Sequence, residues 1–513
     1  MKKWIVLRLT ACFLPACFHG CIVTPHPLTQ NEIEIRATND LRLISNDQEP
    51  ITGPIDIYEA SARALKYNLE TKVKTLRTML AHQQVDFANY SLLPQVAINA
   101  GYDGRSNFTG GTASSLLTGR QLLEPFTSSD RDLFLGNLAL SWDVLDFGLS
   151  YIRAKQAADN VLIAEEEKRR IAIRVLQEVR GAFWRAASAR KLLHELSSLN
   201  DWVNKALSDT KEVFTQRLQP PLTPLAYRRE LLNVQREVQR LYRELGTAKY
   251  QLAALMNIPP GTDFELEMPS RESNAPTVKI DMEALELQAL LSRPELRTID
   301  YQKRINANDS TAAMLELLPN LRLSLGGFYN SNSFLFHHNW LGYAAQTSWN
   351  LMNVFLKPLK QSVIKAQGEV LDAQSLALTM TVLTEVHISR AQLHYAHQEL
   401  SNSKQYYDNQ VLITDHVGNM WTANSTHELA VINERVNKVL AEIRLDVAHA
   451  GVESSLASIR AAIGEDVLPN VTLALSVGQI SDLLRERWEL PVLAVAPNQE
   501  NRTPHDISAQ LSR

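Results

Sequence analysis

Apolar residues recur along this chain with two different periods, and the change from one to the other marks its elements. Val175, Val179, Ala182, Ala186, Ala189, Leu193, Leu196, Val203 and Leu207 follow alternating steps of four and three, with polar Asn200 the one position out of pattern. A sustained seven-residue repeat keeps one stripe against a partner helix and specifies a left-handed coiled coil. The stripe returns at Leu231, Val234, Val238, Leu241, Leu245, Ala248, Leu252 and Leu255. Between the two runs, Gln219-Pro220-Pro221-Leu222-Thr223-Pro224 must interrupt the helix, because proline lacks an amide donor and its ring crowds the preceding turn. The segment reads as a helical hairpin. Its long arm, residues 150–216, spans roughly 100 Å at the standard rise, and its return arm, residues 225–257, about half of that. Another half-length helix, about 57–91, comes earlier, so two short helices stacked end to end would match the long one.

After Leu92-Leu93-Pro94 the period drops to two. Val96, Ile98, Ala100 and Tyr102 alternate with Gln95, Ala97, Asn99 and Asp103, and Phe134, Leu138, Leu140, Trp142 and Val144 with Asn137, Ala139, Ser141 and Asp143. Further on, Leu321, Leu323, Leu325 and Tyr329 face away from Asn320, Arg322 and Ser324, as Leu341, Tyr343, Ala345 and Trp349 face away from Gly342, Gln346, Ser348 and Asn350. Strands are predicted at about 95–104, 134–145, 320–330 and 341–351, each near the ~10 residues that a tilted membrane strand requires, with Tyr and Trp placed as interface anchors. A water-soluble antiparallel sheet with one wet face fits the same alternation. Four strands alone, however, leave two edges open to pairing. Closure by several copies would remove the edges and turn the polar faces onto a lumen.

The pattern occurs twice. One constant offset pairs Asp56 with Asp281, Glu70 with Glu295, Leu92-Leu93-Pro94 with Leu317-Leu318-Pro319 and Gly101 with Gly326. Further along, a shorter offset pairs Ser141-Trp142 with Ser348-Trp349 and Ala254 with Ala461, so the two copies differ in length in the loop between their first two strands. The first copy covers 55–258 and the second 280–465, joined by a Pro-rich linker at 259–279; the seam of the second copy is the more polar. Neither is a compact domain alone, and the two form one continuous domain. The tail, 466–513, has no counterpart.

Composition removes alternatives. With 52 Lys plus Arg against 56 Asp plus Glu, the net charge of -4 gives no footprint for nucleic acid. The three cysteines, Cys12, Cys17 and Cys21, all lie at the start, so a chain beginning at Cys21 forms no internal disulfide. Basic Lys2 and Lys3, an apolar stretch from Trp4 to Phe18 broken by Arg8, and small Gly20 read as a signal peptide over 1–20. Phe18-His19-Gly20-Cys21 resembles a lipobox, which implies a lipid-anchored segment over 21–54 starting at Cys21; Cys17, after Leu14-Pro15-Ala16, is the competing site. Ile22 is not the aspartate associated with inner-membrane retention, which the resemblance reads as favouring the outer membrane. No later run of apolar residues is long enough for a membrane helix, so any crossing is made by strands. His394, His397 and His387 read as solvated coiled-coil positions rather than metal ligands, and Glu165-Glu166-Glu167 followed by Lys168-Arg169-Arg170 as a solvated ion-paired face. Arg228-Arg229 has the same reading. With neither a P-loop nor an HExxH sequence, no enzyme, cofactor or metal is expected.

From about residue 50 to 466 the chain resembles the TolC family of outer-membrane efflux proteins. The resemblance rests on the two Leu-Leu-Pro strand starts, on Leu140-Ser141-Trp142-Asp143-Val144-Leu145-Asp146-Phe147-Gly148 before a long helix, and on the repeat ending Leu252-Ala253-Ala254-Leu255-Met256-Asn257-Ile258-Pro259-Pro260-Gly261. It implies a mostly α fold with membrane β: a homotrimer in which each subunit gives four strands to a twelve-stranded barrel and long helical hairpins to a periplasmic α-barrel. It also implies a passive exit duct in the outer membrane, joined through a periplasmic adaptor to an inner-membrane transporter. Type I secretion of a peptide or protein is an alternative use of such a duct, and a non-conducting periplasmic coiled-coil lipoprotein an alternative of another class. In the family the adaptor is thought to meet the helical tips at a Val-Gly-Leu-like turn. Val417-Gly418-Asn419 is similar to that turn, and Gln216-Arg217-Leu218 stands at the equivalent place in the first copy. Some relatives close the tip with aspartates six and nine residues after the turn glycine; here those positions are Asn424 and His427, so a cation-binding gate is not expected, and a polar constriction and an ordinary capped turn over Thr422 to Thr426 are the two readings. At the strand-to-helix turns, Gly148 lacks the family's usual second glycine, and Val354-Phe355-Leu356-Lys357 has none.

Overall fold

The computed structural model describes residues 25–44, 48–121, 123–215, 222–259, 261–267, 281–423, 428–465 and 475–489. Two units divide the chain, one ending at Pro50 and the other beginning at Ile51. In the first, α1 (Gln30–Leu43) opens on a capping box, in which the Thr29 side chain accepts from the Glu32 amide and the Glu32 carboxylate from that of Thr29. None of its residues is buried.

The second unit repeats one plan. It begins with α2 (Ile57–Tyr67), α3 (Leu69–Tyr90), β1 (Gln95–Gly104), short β2 (Gly110–Gly111) and β3 (Phe126–Thr127), β4 (Asp132–Asp143), α4 (Val144–Thr215) and α5 (Leu222–Leu255). There follow α6 (Met282–Ser292), α7 (Pro294–Leu315), β5 (Asn320–Asn330), β6 (Asn339–Ser348), α8 (Met352–Thr422) and α9 (Glu428–Ala462), and then α10 (Val477–Glu489). The starts of α2, α3 and β1 stand at one constant offset from those of α6, α7 and β5, and the end of α5 at the shorter offset from that of α9. The β1–β4 connection, which carries the small β2–β3 hairpin, absorbs the difference.

Local chemistry explains the element ends. Asp56 and Asp281 cap α2 and α6 from equivalent positions, accepting from Glu59 N at 2.6 Å and from Glu283 N at 3.2 Å. The helix expected over 57–91 is in fact two, because Asn68 leaves the helical conformation and uses its side chain to cap α3 through the amides of Glu70 and Thr71. In the second copy Arg293 takes the same place, where Pro294 disfavours helix in the residue before it and then serves as the first residue of α7. Pro224 does not interrupt a helix either: it sits in the first turn of α5, where an amide donor is not needed. Two strands lie slightly earlier than expected, β4 ending at Asp143 and β6 at Ser348, and α4 starts at Val144 without an intervening loop.

Packing is built on the long helices. Near the sheet, α3 packs on α4, α4 on α7 and α7 on α8; in the far half, α5 packs on α4, α4 on α9 and α9 on α8. The short helices meet end to end. Asn68 Nδ2 donates to Leu255 O at 3.2 Å where α5 reaches α3, and Arg293 donates to Ala461 O at 3.0 Å where α9 reaches α7. The linker does more than join the copies, since Ile55 N donates to Glu265 O and Glu267 N to Ile55 O, both at 2.9 Å, with Phe264 buried in the adjoining core.

The predicted seam of α5 is buried from Leu231 to Leu252. That of α4 drifts: Leu192, Leu199 and Ala206 are buried in place of Leu193, Asn200 and Leu207. A helix turns every 3.6 residues rather than 3.5, and α4 is covered by both α5 and α9, so its buried stripe is wider than a two-helix seam. Asn200 therefore breaks nothing.

Candidate functional site

The sheet has the order β1-β4-β5-β6, antiparallel throughout, and two unlike faces. Register puts Val96, Leu140, Leu325 and Tyr343 in one row of the first face, and Ile98, Leu138, Gly327 and Leu341 in the next. Tyr102 and Phe134 follow, with ring centroids 5.2 Å apart. This apolar face is bare, with Ile98 79% and Tyr343 88% exposed. On the other face Asn99 Nδ2 donates to Asn137 Oδ1 at 2.7 Å, and Arg322 grips Asp143 through Nε and Nη2, each at 2.9 Å. Such alternation suits lipid on one side and water on the other. Among the described residues β1 and β6 each pair on one side only, so both edges of the sheet are open.

The same two flanks carry unpaired helix seams. On α3, next to β1, Leu69, Val73, Leu76, Leu80 and Phe87 are all exposed, at steps of four, three, four and seven. On α8, next to β6, Leu356, Leu359, Val363, Ala366, Val370, Ala373, Ala377 and Met380 form an unbroken run of threes and fours, and every one of them is exposed. A heptad stripe of this length marks a coiled-coil partner, and contiguous bare apolar surface marks an association site. Neither seam was predicted, because the stripe followed along the sequence is the one turned into the bundle, whose buried positions on α8 include Ser389, Ser403 and Gln410.

No family model and no curated protein matches the sequence. Solved structures do. The outer-membrane channel OprN superposes with a TM-score of 0.61 at 16% identity, over 80% of this chain and 89% of that one. The CmeC outer membrane channel of Campylobacter jejuni gives 0.63 at 12% identity, over 90% and 98%. The MtrE outer membrane channel of Neisseria gonorrhoeae, in its open state, gives 0.58 at 14% identity, over 83% and 96%.

The fold is TolC-like.

Midway along this TolC-like bundle, beyond what the sequence suggested, α10 binds the two copies together. The Arg180 guanidinium, from α4, lies 3.2 Å from the centre of the Trp488 ring, and that of Arg460, from α9, lies 4.7 Å from it. Arg180 is buried, which pushes its pKa down to about 10, and the Glu453 carboxylate at 2.8 Å works in the opposite direction. Arg460 pairs with buried Glu465 at 3.0 Å and donates to Trp488 O at 3.1 Å. Burial raises the Glu465 carboxyl above its ordinary value, against the pull of Arg460 and Arg487. Arg485 reaches Asp56 at the start of α2. Two guanidiniums from different repeats thus share one indole, a cation–π arrangement whose value increases with desolvation.

Val417, Gly418 and Asn419 are helical, because α8 runs on to Thr422 and is closed by Ala423 N donating to Asn419 O at 3.1 Å. Gly418 has open space where a Cβ would stand. The remaining predicted positions, Cys21, Gln216, Arg217, Leu218, Asn424 and His427, lie outside the described residues. His387 Nε2 lies 2.8 Å from Glu286, and no group of residues that could hold a metal ion occurs among the described residues.

Proposed function

We propose that three copies of this chain close into an outer-membrane channel that serves as a passive exit duct for a tripartite efflux system. The observation that carries the reading is the coincidence of unfinished surfaces: each open strand edge stands beside an unpaired heptad seam, β1 beside α3 and β6 beside α8. Pairing β6 with the next copy's β1 and α8 with the next copy's α3 completes both at once. The two helices run in opposite directions relative to the sheet, so the added seam is antiparallel. Each Leu or Val buried in it contributes roughly 1.5–3 kcal/mol.

Three four-stranded sheets make the twelve-stranded barrel of the TolC resemblance, with the apolar face on lipid and the Asn, Ser and Asp143–Arg322 face on water. In this reading the helices extend through the periplasm, a lipid on Cys21 adds a second hold on the membrane, and an adaptor contacts the helical tips around Gln216, Arg217, Leu218, Val417, Gly418 and Asn419. An inner-membrane transporter supplies the energy. Asn424 and His427 form a polar constriction at the tip.

Planar-bilayer recording on the purified full-length protein tests the duct. Stepwise ion conductance is expected; its complete absence under opening conditions would favour a structural coiled-coil lipoprotein instead.

A further inference from the structure

We propose that Trp340, on the water-facing side of the sheet near the outer mouth, is a stacking site for planar aromatic cations passing through the duct; the proposal rests on the channel reading above. Asn99, Asn137, Phe328 and Trp340 are register partners across the four strands and therefore stand at one height on that face. Phe328 and Trp340 are nearly parallel, with ring centroids 5.7 Å apart and planes 12° apart, in an offset stack. Phe328 covers one side of the indole, yet Trp340 remains 44% exposed.

The stack is held from beneath. Gly326 and Gly342 are register partners of each other, and a Cβ at Gly342 would come within 2.8 Å of Phe328 Cε2, while one at Gly326 would come within 3.3 Å of the same atom. Any side chain at Gly342 would displace the Phe328 ring. The glycine pair leaves the room in which it lies flat, so the indole is presented on a preformed support and little freedom is lost when a second ring stacks on it. Covering glycines would by itself account for Phe328. It does not account for the exposed Trp340.

Charge selects among aromatic solutes. Asp103 lies on the same face further toward the mouth, and among the described strand residues it is the one charged side chain in the outer half of that face; Arg322, at the inner end, is engaged by Asp143. The face of an exposed indole attracts a flat cation over a flat anion, and Asp103, at the opposite edge of the sheet on β1, adds negative charge toward the mouth. The Asn99–Asn137 amides at the same height can hydrogen-bond ring nitrogens or amino substituents.

The test uses the full-length protein in planar bilayers, with ethidium as a planar aromatic cation and tetrabutylammonium as a cation without an aromatic ring. Wild type should show longer current blockades with ethidium. Trp340→Leu should shorten the ethidium dwell time at least about fivefold while leaving tetrabutylammonium dwell and open-channel conductance unchanged, and Trp340→Phe should retain most of the effect. Asp103→Asn should shorten both dwell times. An ethidium dwell within twofold of wild type in a conducting Trp340→Leu channel overturns this proposal alone. Dissociation of the assembly by Trp340→Leu also overturns it, since the ring would then be a contact between copies. A wild-type protein without conductance overturns the duct reading and this proposal together.

Discussion

Position 257 in the first copy and position 464 in the second solve the same problem with different residues. Both turn the chain away from the end of a helix with positive φ, 57° at Asn257 and 65° at Gly464. Asn tolerates that region because its short polar side chain bonds locally, whereas Gly has no Cβ to strain. Only at Gly464 is space lacking as well, since a Cβ there would lie 2.8 Å from the Ser292 carbonyl. Gly464→Ala should therefore cost about 1–3 kcal/mol, seen as a lower apparent melting temperature by circular dichroism, while Asn257→Gly should shift it little. At the neighbouring Arg460–Glu465 pair, pH provides the readout. The folded-state pKa of Glu465 is raised, so the folded protein holds the extra proton, and the stabilisation that proton brings is lost as pH rises through the folded value. On acidification from pH 7 toward the ordinary carboxylate range, the wild-type melting temperature should rise relative to that of Glu465→Gln. Parallel profiles would show that this carboxyl is not perturbed. Arg180, held near 10, contributes no slope in the neutral range.

At the scale of elements, legibility followed the strength of the pattern. β1 and β5 lie where alternation put them, because a period of two bounded by Pro94 or Pro319 leaves little choice of register. Helix α5 was equally plain. On α4 the stripe held at Leu196 and Val203 but was off by one position at Leu193, Asn200 and Leu207, since adjacent Leu192-Leu193 and Leu199-Asn200 fit two stripes and only contact with α9 decides between them. The break at Asn68 was open to reading through its counterpart, Arg293-Pro294, whose proline is a stronger signal than asparagine. Clearest in hindsight are the seams on α3 and α8, which the sequence spells in full but which a search for internal partners leaves unused. They make a sharp prediction. Val363, 69% exposed in the single chain, should become buried on assembly, so Val363→Glu should shift the purified protein from a trimer to a monomer by light scattering. Its helical content should remain that of wild type, because the substitution touches nothing inside one copy.

The repeated part of the molecule was legible because it is written twice. Two constant offsets located both copies before any element was assigned, and the element boundaries repeat the longer one residue for residue at the starts of α2, α3 and β1. What the repeat could not announce is whatever occurs once. The clasp of α10, with Trp488 between Arg180 and Arg460, has no counterpart in the pattern, and its guanidiniums come from segments far apart in sequence. The tip residues were named through resemblance alone, and Val417–Asn419 proved to be helix because nothing in that stretch stops a helix before Thr422.

The one large difference between the copies, the longer β1–β4 connection, decides the symmetry of the proposed assembly. Six identical repeats would make a ring with sixfold character from end to end, and the helices come close to that, with long and short arms alternating in matched lengths. At the outer rim of a trimer the approximation would fail: three longer connections, each presenting fully exposed Leu116 and Leu117, would alternate with three short turns from Ser331 to His338. In such a trimer a ligand approaching from outside would meet a strictly threefold surface, whereas one approaching along the helices would meet a quasi-sixfold one. A trimer so built would suit partners of different stoichiometry at its two ends.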